Sequence, residues 1–240
     1  EPNLDKTFKK NKKKIKFVHD LIDLKECDLV FFSKDIPTNN KDKSLYDGIY
    51  KLIKRAIRHL NKKSTLIILS QVKPGFTDSV KWSKKNLYYQ VETLIFGEAV
   101  NRALKPEQFI VGAFDNKINK KYLKFLKSYK SKINIMNYKS AELAKISINL
   151  YLISSLSFTN SLAEACEKID ADWSKIQPIL KQDKRIGKYA YLNPGLGILS
   201  GNLQRDLQSY KKILSENDCN LEIPKAWQKN SNYRKNWVNN

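Results

Sequence analysis

The run SAELAKISINLYLISSLSFTNSLAEACEKI, residues 140–169, contains neither proline nor glycine. A segment of that length without a helix breaker reads as one continuous helix spanning roughly 45 Å at the usual rise per residue. An element that long predicts a backbone between two lobes, or a dimer interface, rather than local packing. Ser140 is the expected N-cap, with Glu142 close behind it in the first turn.

The residues before this helix have a different texture. CDLVFFS (27–33) and STLIILS (64–70) are continuously apolar and read as buried strands. Between them, SLYDGIYKLIKRAIRHL (44–60) repeats its apolar residues at helical spacing. A strand–helix–strand unit of this kind predicts a parallel sheet covered by helices. KIKFV (14–18), QFIVGA (108–113) and KINIMN (132–137) are expected to add strands, and none is expected beyond 138. Short helices are expected at 170–182 and 203–217. The fold class is therefore α/β: a partial Rossmann-like parallel sheet over 1–138, then an all-helical central domain over 139–240 built on one long helix.

Composition narrows the function. The chain of 240 residues is 41% hydrophobic, enough for a core, and carries a net charge of +21. That balance favours polyanions or phosphate-bearing small molecules. The densest basic run, Lys6 to Lys16, reads as a solvated surface: no aromatics interleave as a stacking platform would need, so nucleic acid is an unlikely partner. Cys27, Cys166 and Cys219 are dispersed, which predicts a reducing compartment and no disulfide framework. With His19 and His59 alone, neither a histidine metal site nor a histidine triad is expected. No apolar run reaches membrane-spanning length, so a cytoplasmic location is expected.

Three features of the second half carry chemistry. Lys145 and Asn149 lie four apart and share a helix face. Arg185 sits in DKRIG (183–187), just before a loop. PGLGILSGNLQRD (194–206) then brings Gly195, Gly197 and Gly201 to a helix start with Asn202, Arg205 and Asp206, an arrangement suited to an anion. Taken alone, Asn202 also reads as an N-cap.

In order and spacing these segments resemble the nucleotide-sugar dehydrogenase family of the UDP-glucose/GDP-mannose type. SAELAKISIN (140–149) is similar to its S-A-E-x-x-K-x-x-x-N helix, DKRIG to its D-x-R-I-G, and 194–206 to its P-G-x-G-F-G-G-x-C-x-P-K-D loop. SQVKPGFTD (70–78) and the stretch 91–112 resemble its S-T-V-P-x-G-T and P-E-F-L-x-E-G segments. The resemblance implies NAD-dependent oxidation of a sugar hydroxyl on a nucleotide sugar. It gives Lys145 and Asn149 to the reacting hydroxyl, Asp206 to a water or the donor lysine, and Arg185 to substrate across a subunit boundary. It lays Gly195, Gly197, Gly201 and Arg205 along the substrate and puts NAD contacts at Pro37, Ser70 and Gln71. A homodimer, C₂ by default, is implied.

Two departures stand against the pattern. Asn202 occupies the place of the family's nucleophilic cysteine, and a carboxamide forms no thioester. Phe96 occupies the place of a glutamate that assists water in the acid-forming half of the reaction. No GxGxxG phosphate turn occurs, and EPNLDK resembles a segment well after that unit, so either a piece of a longer protein, the favoured expectation, or a lost NAD site is implied. Two functions follow: oxidation stopping at a carbonyl, or a catalytically silent homologue that binds a nucleotide sugar or a partner chain.

Overall fold

The computed structural model describes residues 1–39 and 43–236. Two compact units divide it: Glu1–Pro37 with Leu45–Lys145, and Thr38–Ser44 with Ile146–Asn240.

The first unit is built on a five-stranded sheet in the order β1-β2-β3-β4-β5. The strands are β1 Leu29–Phe32, β2 Thr65–Ile68, β3 Leu87–Gln90, β4 Gln108–Gly112 and β5 Lys132–Met136. β1, β2 and β3 run parallel and so do β4 and β5, but β3 pairs antiparallel with β4, so the sheet is mixed. Helices α1 Leu4–Asn11, α2 Asp47–Ala56, α3 Phe76–Ser79, α4 Ala99–Leu104 and α5 Lys120–Lys127 accompany it. α2 buries Ile49, Ile53 and Ala56, spaced to form one stripe, against Phe32, Leu66 and Ile68. The opposite sheet face packs Ile67, Tyr88, Phe109 and Val111 under Tyr122 and Leu126 of α5. Each of these large side chains contributes about 1.5–3 kcal/mol by leaving water.

The long helix, α6, runs Tyr138–Lys168. It opens in the first unit, where Tyr138 and Ala141 join the core. Gly112 makes this possible: a Cβ there would lie 3.0 Å from the Ala141 Cβ and 3.1 Å from the Tyr138 Cα. The second unit also holds α7 Trp173–Gln182, α8 Gly201–Glu216 and α9 Glu222–Lys235. Ile146, Leu150 and Ile153 of α6 meet Ile198 and Leu207 there.

Two expectations are corrected. Residues 14–18 form no strand: a 3₁₀ turn ends at Lys14, and Phe17 is exposed, with its ring 6.0 Å from that of Phe8. Ser140 is not the cap of α6. The helix begins at Tyr138, and the Asn137 side chain accepts from the Ser140 N–H at 2.8 Å. α1 buries none of its residues, as a solvated lysine-rich segment requires.

Candidate active site

α8 and α6 assemble a buried polar group inside the second unit. Asn149 of α6 donates from Nδ2 to Asp206 Oδ2 at 2.5 Å. Arg205 Nε stands 3.9 Å from Asp206 Oδ1, with both side chains nearly sealed from solvent. Arg205 Nη2 donates in turn to Asn202 Oδ1 at 3.0 Å. Burying a carboxylate is costly unless charge and hydrogen bonds compensate it, and here an amide and a guanidinium supply both.

This arrangement assigns Asn202 a place that its sequence context did not. It is the second residue of α8, whose N-cap is Ser200, so Asn202 lies inside the first turn with its carboxamide directed to Arg205. Its reading as an N-cap is thereby corrected.

The glycine loop is strapped at two points. The Gly195 N–H donates to Asn160 Oδ1 at 2.8 Å, and the Ile198 N–H donates to Ser231 Oγ at 2.9 Å. Between these straps Gly197 has φ +85°, and a Cβ there would stand 2.7 Å from the Ser231 carbonyl oxygen. Only glycine fits both conditions. Gly195 and Gly201 meet nothing within 4 Å. Asn160 and Ser231, fully buried on α6 and α9, are site-shaping residues that sequence reasoning missed.

Arg185 does not join this group. Its guanidinium forks onto both oxygens of Asp183, at 3.0 and 2.6 Å, and its side chain is 89% exposed. The pairing holds the Asp183 carboxyl below its usual range and raises Arg185.

In the first unit, the carboxyl ends of β1 to β3 border a cleft of about 250 Å³ lined by Phe31, Leu69, Gln90, Glu92 and Phe125 among others. Ser70 donates its hydroxyl to the Lys34 carbonyl at 2.6 Å, with the Phe32 carbonyl 3.2 Å away, tying the ends of β1 and β2 together. The Pro37 carbonyl accepts from the Leu45 N–H at 2.8 Å. Gln71 follows Ser70 in the same turn.

Glu92 is a third residue missed from sequence: it lies two residues beyond β3, a strand that no aliphatic run announces. Burial raises its carboxyl, while Gln90 and the positive charge of Lys145 pull it down. Lys145 is half-buried on α6, one turn before Asn149. Phe96, in contrast, is 94% exposed and lies outside both groups. Glu142, fully buried three residues before Lys145, accepts from the Gly75 N–H at 2.6 Å and the Thr77 N–H at 2.8 Å. Burial nonetheless raises its carboxyl above the ordinary value.

A dinucleotide needs a cradle for its phosphates as well as a berth at the strand ends. The strand-end cleft lies at the expected end of the sheet, but Pro37, Ser70 and Gln71 are not among the residues that line it. For the first, the sequence holds no glycine-rich turn after a strand, so the residues present fit only part of such a cofactor.

Comparison with known proteins bears on both units. Residues 139–233 match the family model described as the central domain of the UDP-glucose/GDP-mannose dehydrogenase family. A UDP-glucose 6-dehydrogenase of Rickettsia bellii (strain RML369-C) is 27% identical over 213 residues, covering 85% of this chain and 49% of the relative. The chain thus spans about half the length of the relatives it matches. Its fold is shared with a UDP-glucose dehydrogenase from Pyrobaculum islandicum, at a TM-score of 0.85 and 21% identity over 97% of this chain and 57% of that one. A UDP-D-ManNAc dehydrogenase from Pyrococcus horikoshii has a TM-score of 0.83 at 17% identity, covering 100% and 59% respectively.

Proposed function

We propose that this chain, whose sequence relatives support membership in the nucleotide-sugar dehydrogenase superfamily, belongs to an NAD-dependent oxidoreductase that oxidises a sugar hydroxyl on a nucleotide sugar and stops at the carbonyl. The observation that carries this reading is the Asn149–Asp206–Arg205–Asn202 group, which keeps the hydroxyl-binding amide and replaces the nucleophile.

The bond to Asp206 supports a role for Asn149. One amide hydrogen is committed to Asp206, so the carbonyl oxygen is the end that receives the hydrogen bond of a substrate hydroxyl. Lys145, one turn earlier on α6, supplies the cationic donor that steadies the alkoxide as it develops. Asp206 acts through Asn149, fixing its rotamer. The loop at Gly195, Gly197 and Gly201 lies along the anionic part of a nucleotide sugar in this reading, and Arg205 holds the first turn of α8 behind it through Asn202. Arg185, exposed and already oriented by Asp183, is available to substrate in a second copy of the chain.

Bound NAD would accept a hydride, and Pro37, Ser70 and Gln71 are the residues proposed to line its berth at the strand ends. Asn202 accepts from Arg205 and is a poor nucleophile, so no thioester and no second oxidation follow.

The test is the formation of NADH by the protein with NAD and a panel of nucleotide sugars. A single equivalent of NADH per sugar, with a carbonyl product trapped by hydrazine, is expected, and Lys145→Ala should lower turnover about 100-fold or more. Absence of NADH with every sugar overturns the enzyme reading. The replacement of both Cys and Glu at positions 202 and 96 favours one alternative, a catalytically silent homologue that only binds. Calorimetry showing nucleotide-sugar binding without turnover would select it.

A further inference from the structure

The face of the sheet under α5 carries a short chain of polar side chains that runs from Tyr122 through Gln90 to Glu92. Tyr122, the third residue of α5, is fully buried, and its hydroxyl donates to Gln90 Oε1 at 2.7 Å. Gln90, the last residue of β3 and only 5% exposed, donates from Nε2 to Glu92 Oε1 at 2.9 Å. Gln90 and Glu92 both line the cleft at the carboxyl ends of the parallel strands, whereas Tyr122 stands behind them in the core.

The direction of the chain follows from the chemistry of its first member. Burial and the nearby charge of Glu92 raise the Tyr122 hydroxyl well above its ordinary value, so it stays protonated and has a hydrogen to give. Giving it to the Gln90 carbonyl oxygen settles the amide: the NH₂ end must face Glu92. An NH₂ facing a carboxyl is a good partner for its ionised form and a poor one for its protonated form. Reversing the amide would face the Tyr122 hydroxyl with an N–H and present a carbonyl to Glu92.

We propose that Tyr122 and Gln90 form a positioning relay that fixes the carboxylate of Glu92 at the cleft, oriented and ready to take a proton. Both act through Glu92. The relevance of that carboxylate to turnover rests on the dehydrogenase reading above, but the relay itself does not.

Direct titration of Glu92 separates the two questions. Protein carrying ¹³C-labelled glutamate side chains is followed by carboxyl NMR from pH 3 to 8, with Glu92→Gln assigning the resonance. Tyr122→Phe removes one hydroxyl and leaves the ring packing intact. Gln90→Met removes the amide at similar volume. Gln90→Met withdraws the donor that favours the charged form, and Tyr122→Phe leaves the Gln90 amide free to turn away, so both should move the Glu92 midpoint upward, the first by about one pH unit. A purely structural role for either residue would lower the melting temperature and leave the midpoint in place. Unchanged midpoints in both variants overturn the relay. If either variant fails to fold, the other decides, and wild-type Tyr122 hydroxyl exchange gives an independent reading: slow exchange supports the buried donor, and fast exchange refutes it. Because no reading needs turnover, an inactive protein would count against the dehydrogenase proposal and leave the relay result standing.

Discussion

At the scale of single residues, the candidate site separates positions defined by conformation from positions defined by charge. Gly197 combines φ +85° with a Cβ position 2.7 Å from a backbone oxygen that cannot easily yield. Gly197→Ala should therefore cost about 2–4 kcal/mol, from backbone strain and a displaced α9 contact. Gly195→Ala meets open space and should fall within about 0.5 kcal/mol of wild type. Urea melts of the two variants make the comparison, and equal losses would contradict it. Asn149→Leu withdraws the amide donor from a buried carboxylate, so it should destabilise by about 1.5–3 kcal/mol. Asn149 and Asp206 were legible because their spacing within motifs survives in a linear reading. Asn160 and Ser231 were not, since each meets the glycine loop across more than thirty residues of chain and neither sits in a telling local pattern.

At the scale of elements, the strands visible beforehand were those whose burial is written in aliphatic runs, such as Leu66, Ile67 and Ile68 of β2. β3, Leu87–Gln90, escaped because two of its four residues are tyrosines, which also suit a surface loop. Their burial depends on distant partners, including the Asn119 N–H that donates to the Tyr88 hydroxyl. The antiparallel pairing of β3 with β4 was equally hidden, because side-chain alternation does not encode strand direction. The same principle explains Glu142, which looked like a first-turn acid. Two backbone N–H groups of the turn at 75–77 make it a clip between that turn and α6. Glu142→Ala leaves both donors unsatisfied and should cost about 2–4 kcal/mol. The pH dependence has a definite sign. The folded carboxyl is raised above its ordinary value of 4.5, so its linked contribution is fully present below that value and declines as pH rises through the folded value. The stability gap between wild type and Glu142→Ala should narrow as pH is raised from 4 toward neutrality in denaturant titrations. A gap that widens would show that the two N–H bonds outweigh desolvation.

For the whole molecule, the exposed face of α6 is the feature that the chain's own packing leaves unexplained. Within the second unit Ile148, Tyr151 and Phe158 are 37%, 75% and 62% exposed, at spacings that align them on one side of the helix. Monomeric proteins seldom leave large apolar side chains in such a row, and a two-fold pairing of α6 with its copy would cover them. Opposing this is the net charge of +21, which makes any two copies repel at long range. The repulsion acts across several ångströms of solvent and is screened by salt, whereas apolar burial is not. Dimerisation should therefore tighten as salt is raised, the opposite of an interface held by surface ion pairs. Sedimentation equilibrium at low and at roughly 0.5 M salt measures this directly, and Tyr151→Glu combined with Phe158→Lys should return the protein to monomer at both. The placement of Arg185 adds a functional consequence. If its exposed guanidinium serves the site of a neighbouring copy, the monomeric double variant should lose turnover although every residue of its own Asn149–Asp206 group is intact. Mixing it with Arg185→Ala protein would then fail to restore activity, whereas Arg185→Ala mixed with Lys145→Ala, both still able to dimerise, should recover part of it through one complete site per heterodimer.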